Sequence, residues 1–199
     1  MNPIIDVIEK RRSVRAYADR PIGQDEKQAI FQAALRAPTA GNMMLYSIIE
    51  VDDPAMREEL AITCDNQPFI AKAPLVLLFL ADFQRWWDYF KVCGCEERAH
   101  ELSLRARKPG VGDLMLASCD TLIAAQNAVI AAESFGIGSC YVGDILERYE
   151  IHRKMFDLPR YVFPLTLLCF GYPAENLGGK RSKRFDQQYV ISKNTYHHL

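Results

Sequence analysis

Residues 74–81 read PLVLLFLA, a run without one polar side chain. Alternate side chains of a strand point to opposite faces, so an uninterrupted apolar strand needs cover on both. The chain must therefore build a sheet packed between helices, and its other segments supply both. Asn2 before Pro3 caps a helix that ends near Arg12. Ala29, Ile30, Ala33, Ala34 and Ala37 recur at helical spacing through residues 24–37, where Pro38 stops them. Residues 45–51 read as a strand, and Asp53-Pro54 opens another helix. A long helix over 113–135 ends at Gly136, followed by a short strand at 139–145, a helix at 146–156 and a last apolar strand at 161–170.

No repeat or linker divides the 199 residues, so we read one α+β domain, three layers deep, over 1–199. Residues 82–112 look irregular, with Trp86, Trp87, Tyr89 and Phe90 clustered as a lid or as core and seam packing. The apolar stretch 114–135 carries Asp120, Gln126, Asn127 and Glu133, too many polar groups for a bilayer, and reads as a buried core helix.

Lysines and arginines number 24 against 25 acidic residues, a net charge of -1, which leaves no general attraction to nucleic acid or to an anionic membrane. Any anion site must be local. The N-terminus has only a short apolar stretch before Arg11 and Arg12, unlike a secretory signal, so a cytoplasmic protein with reduced cysteines is expected. Cys93-Gly94-Cys95 with His100 nearby could suggest a metal, yet the other four cysteines lack the paired spacing of a structural zinc site, and no metal is expected.

Two basic clusters stand out. Arg11, Arg12 and Arg15 surround Ser13, and Lys180, Arg181, Lys183 and Arg184 surround Ser182. Guanidinium groups grip phosphate oxygens bidentately and a hydroxyl adds a neutral donor, so both clusters suit a terminal phosphate; residue type alone nevertheless favours solvated charged faces, and the other segments shift that balance. The loop Ala37-Pro38-Thr39-Ala40-Gly41-Asn42 offers small residues and an amide, as close approach to a flat heterocycle requires, but alone it is only a turn. In Gly136-Ile137-Gly138-Ser139-Cys140-Tyr141, Tyr141 stands where a dinucleotide-binding fingerprint needs its third glycine. His100, His152, His197 and His198 lie near no nucleophile elbow, which sets triad hydrolysis aside. Redox chemistry by a bound organic cofactor needs no such side chains.

Taken in order, Arg11-Arg12-Ser13-Val14-Arg15, the loop 37–42, the stretch Gly136 to Gly143, and Phe170-Gly171-Tyr172-Pro173 with its basic sequel resemble the motifs of the FMN-dependent nitroreductase family. The resemblance implies a three-layer α/β/α fold around a mixed, mostly antiparallel sheet, in a domain-swapped homodimer whose 174–199 tails reach across the partner. It implies FMN held at the interface, with Arg11, Arg12, Ser13 and Arg15 on phosphate and ribityl, joined by Arg181, Lys183 and Arg184. Pro38, Thr39, Ala40, Asn42 and Met44 of the other chain would line one side of the ring, and Tyr141 and Val142 the other. Asn66 would stand near its pyrimidine edge, Asp144 would also belong to the cofactor site, and the backbone N–H of Gly143 would point to flavin N5. The activity implied is ping-pong transfer from NAD(P)H to a small organic acceptor: a nitroaromatic, a quinone or a flavin. Flavin reduction or dehalogenation on the same scaffold, and non-catalytic FMN binding, are the alternatives. The family's polar residues after Asn42 are replaced here by Met43 and Met44, which alters the substrate pocket more than the cofactor seat.

Overall fold

The computed structural model describes residues 2–175 and 182–196. Its elements are α1 (Pro3–Lys10), α2 (Gln24–Leu35), β1 (Tyr46–Glu50), α3 (Pro54–Thr63), α4 (Phe69–Lys72), β2 (Leu75–Asp82), α5 (Gln84–Val92), α6 (Cys95–Glu101), α7 (Val111–Ser134), β3 (Gly138–Val142), α8 (Tyr149–Met155) and β4 (Val162–Gly171). The expected caps form: Asn2 Oδ1 accepts the Ile4 N–H at 2.9 Å, and Asp53 Oδ1 the Ala55 N–H at 2.8 Å. Gly136, at φ 75°, ends α7 in the left-handed conformation.

The sheet runs β1-β2-β4-β3. Every residue of β2 is buried, and its side chains alternate between two cores. Val76, Leu78 and Leu80 pack with Leu60, Ile70 and Ile145 beneath α3, α4 and the turn after β3. Leu75, Leu77 and Phe79 pack with Ile30, Ala128 and Val129 of α2 and α7. At about 1.5–3 kcal/mol for each fully buried Leu or Phe, this strand anchors both outer layers. Pro164, which offers no N–H to the ladder, coincides with the register shift between Phe79 and Leu80.

Two expectations need correction. Among the described residues the four strands are antiparallel throughout, and parallel pairing is confined to an isolated bridge between Ser13 and Ser139. Residues 82–112 are largely helical, because Trp86, Tyr89 and Phe90 fall at three- and four-residue spacing and meet as ring pairs 5.6 and 5.7 Å apart. Gly94, at φ 67°, turns α5 into α6.

Helix α7 is long and apolar enough to cross a membrane by length and composition, yet one face lies on the sheet and α2. Nor is it buried all round: Met115, Leu122 and Ile123 face outward. Helix α1 buries no residue, although Ile4, Ile5 and Ile8 form an apolar face.

Candidate functional site

The first arginine cluster is laid along the start of β3. Val14 N donates to Ser139 O at 2.9 Å, and Val14 is buried. An extended chain alternates its side chains, so burying Val14 turns Ser13 and Arg15 outward, and both are exposed. Gly138 is what lets the segments meet, since a β-carbon there would lie 2.4 Å from Val14 Cγ2. A strand interior normally disfavours glycine; here it marks a close backbone approach.

Three groups along β3 and α7 register the arginines electrostatically. Burial pushes the Cys140 thiol up, opposed by Arg15 and a hydrogen bond from Ser13. The Tyr141 phenol is pushed up to about 12 by burial, with Arg11 opposing, and its hydroxyl donates to Gln126 Oε1 at 3.2 Å. Glu133 is pushed up to about 7 by burial, with Arg11 and Arg12 opposing. Among the described residues no carboxylate lies within ion-pair distance of Arg11, Arg12 or Arg15. Ser139 Oγ and Glu133 Oε1 are the two buried side-chain polar atoms without a partner among the described residues, and both flank this strip. Unneutralised guanidinium groups beside an orphaned hydroxyl fit an anionic group such as a phosphate monoester.

Beyond β3 the chain makes a tight turn. Gly143 has φ -83° and ψ -20°, and its Cα faces open space: a β-carbon placed there would meet nothing within 4 Å. Asp144 Oδ2 accepts from Gln67 Nε2 at 2.8 Å, and the same amide reaches Cys64 O at 2.9 Å. Asp65 and Asn66 adopt left-handed φ of 61° and 50°, which delivers Gln67 to the turn. His152 is wholly buried: Nδ1 lies 2.7 Å from Ile145 O and Nε2 2.9 Å from Thr63 Oγ1. The carbonyl fixes the tautomer with the proton on Nδ1, and burial holds the imidazole pKa below its ordinary value. The strip, Tyr141, Val142, Gly143 and Asp144 thus follow one edge of the sheet, and Gln67, next to Asn66, reaches it from the segment after α3.

The loop 37–44 lies elsewhere. Asp120 of α7 accepts from Ala40 N at 3.0 Å and Leu45 N at 3.3 Å, and Thr39 Oγ1 accepts from Met44 N at 3.2 Å. Asn42 and Met44 take φ of 57° and 50°, and Pro38 and Asn42 are exposed. The loop feeds β1, at the opposite edge of the sheet from β3. Three strand spacings, roughly 14 Å, separate those edges, so in one chain Asn42 and Gly143 stand at opposite edges of the sheet. Of the second basic cluster, Arg181 lies outside the described residues. Lys183 and Arg184 are exposed, and no hydrogen bond or ion pair joins them to the strip among the described residues.

The family model described as the Nitroreductase family matches residues 8–172. The chain belongs to the nitroreductase family. It is 34% identical over 196 residues to an FMN reductase (NADPH) of Bacillus subtilis, covering 98% of this chain and 75% of the relative. It is 33% identical over 199 residues to an oxygen-insensitive NADPH nitroreductase of Salmonella typhimurium, covering 100% and 77%. The solved structure of NADPH:FMN oxidoreductase from Vibrio harveyi complexed with NAD+ matches with a TM-score of 0.86 at 29% identity, over 100% of this chain and 80% of that one.

For this nitroreductase-family chain, sequence reading singled out Asn66 and missed its neighbour Gln67, whose side chain is the one that reaches Asp144. It passed over His152, Asp120 and Glu133 as site-shaping groups. Asp120 and Glu133 carried a signal, being polar positions on an otherwise apolar helix.

Proposed function

We propose that this chain is an FMN-dependent NAD(P)H oxidoreductase of nitroreductase type, passing reducing equivalents to a small organic acceptor such as a nitroaromatic, a quinone or a free flavin. The observation that carries the reading is the counterion-free strip Arg11, Ser13 and Arg15 docked on β3 and leading directly to the open turn at Gly143. The relatives named above are an FMN reductase and a nitroreductase, both using NADPH by name.

Arg11, Arg12, Ser13 and Arg15 hold the phosphate, with Arg181, Lys183 and Arg184 of the tail as further cations. Tyr141 packs on the ring, Val142, whose side chain is buried in the core with Leu60 and Ile70, borders it only through its backbone, and Asn66 and Asp144 stand at its polar edge. When bound, FMN supplies the redox centre that no described side chain provides. Gly143 presents its backbone N–H to the ring edge with no side chain in the way, a preoriented donor where negative charge gathers on reduction.

The other wall comes from a second copy, in the form of its Pro38, Thr39, Ala40, Asn42 and Met44. The separation of the β1 and β3 edges supports this, as do the uncovered apolar faces of α1 and α7 and the exposed Phe185, Val190 and Ile191 of the tail. Six unpaired cysteines fit a reducing, cytoplasmic setting. The test is spectroscopic: the purified protein takes up FMN stoichiometrically, and anaerobic NADPH or NADH bleaches its visible band. Failure to bind FMN, or a band that neither nucleotide bleaches, contradicts the reading.

A further inference from the structure

At the end of the sheet where β2 stops and β4 begins, the first turns of α7 and helix α8 enclose a cleft of about 430 Å³. Its lining is largely apolar and partly flat, with Leu114, Phe83, Tyr149 and Phe163, the last two rings stacked 5.2 Å apart. Two guanidinium groups, Arg153 and Arg160, stand at the same cleft. Arg153 Nε donates to Leu158 O at 3.2 Å, which orients the fork and leaves its terminal nitrogens for another acceptor.

The acid in the lining does not answer these charges. Asp113 already takes two hydrogen bonds from Arg107, at 2.5 and 2.8 Å, and one from Gly110 N at 2.8 Å, and Arg107 holds its carboxyl down to about 2. Among the described residues neither Arg153 nor Arg160 has a carboxylate within ion-pair distance. The start of the long helix α7 adds partial positive charge to the same rim.

We infer that this cleft is an accessory binding site for a flat organic anion, an aryl carboxylate or sulfonate, with its ring against Tyr149 and Phe163 and its charge on Arg153 and Arg160. It is distinct from the arginine strip and the Gly143 turn. Val142 pairs with Leu167 of β4, and Phe163 lies four residues further along that strand, roughly 13 Å away. The cleft is therefore separate from the Gly143 turn, while Ala81, Ala117 and Phe163 of its lining pack with Met43, beside the loop that feeds β1.

The test is calorimetric titration of the purified protein with 2-naphthoate and with uncharged 2-naphthol. The cleft predicts saturable binding of naphthoate, with naphthol weaker by about tenfold or more, the worth of one charge-assisted contact. Arg160→Gln, on an exposed residue, and Leu114→Trp, which fills the cleft without touching its charge, each cost naphthoate at least that factor. Arg160→Gln leaves the visible spectrum and NAD(P)H oxidation unchanged. The inference is overturned by the absence of saturable binding at millimolar naphthoate, by equal affinity for naphthol, or by binding that persists in both variants and therefore sits elsewhere.

Discussion

Val14 occupies the space that a β-carbon on Gly138 would need, 2.4 Å from its ideal position. That contact sets the height of the arginine strip above β3. Gly138→Ala must push the strip away or distort the strand, so we expect a loss of about 1–3 kcal/mol in denaturant-unfolding stability, as for overpacked cores. FMN affinity falls with it. An unchanged FMN dissociation constant in a folded Gly138→Ala protein means that the strip does not hold the cofactor.

Arg15 tests the phosphate assignment by subtraction. A charge-assisted contact of about 1.5–3 kcal/mol predicts that Arg15→Ala weakens FMN binding by roughly 10- to 100-fold. Riboflavin, which has the ring but no phosphate, should bind the variant and the parent alike. Equal losses for both ligands place Arg15 against the ring instead.

Glu133 makes the seat sensitive to pH. Its folded pKa, about 7, lies above the ordinary 4.5, so between these values the folded state binds more protons than the unfolded one. Stability is therefore fully present at low pH and declines as pH rises through that window. Arg11 and Arg12 are the charges that offset the carboxylate; a phosphate that engages them removes the offset, so binding takes up a proton and FMN affinity weakens above neutral pH. Calorimetry of FMN binding in two buffers of different ionisation enthalpy counts that proton, and Glu133→Gln should abolish both the uptake and the slope in stability.

Asp120 anchors the loop to α7 through two backbone N–H groups. Asp120→Ala leaves Ala40 N and the buried Leu45 N without their acceptor, at about 1–3 kcal/mol for an unsatisfied buried donor. Denaturant midpoints measure this. Ring binding should weaken as well, with riboflavin affected as much as FMN, the reverse of the Arg15 pattern.

The sequence carried more of the scaffold than of the site. The apolar run at 74–81 implied a doubly covered strand, and Pro and Asn or Asp caps marked α1 and α3, because these signals are local. The aromatic cluster at 86–90 hid a helix, since its residues were weighed as a lid rather than by their spacing. The arginine strip was visible by composition, but its docking rests on Gly138 yielding to Val14, a contact across more than a hundred residues. Gln67 and His152 escaped notice for the same reason: each acts on the Gly143 turn from another element, and nothing in the local pattern announces the partner.

The central claim is that one FMN is held by two copies of the chain, and a crystal structure of the FMN complex tests it most directly. We predict the phosphate against Arg11, Ser13 and Arg15 of one protomer, the ring edge at its Gly143, and Asn42 of the other protomer against the same ring. A phosphate bound away from that strip, or a ring enclosed by a single chain, would contradict the account.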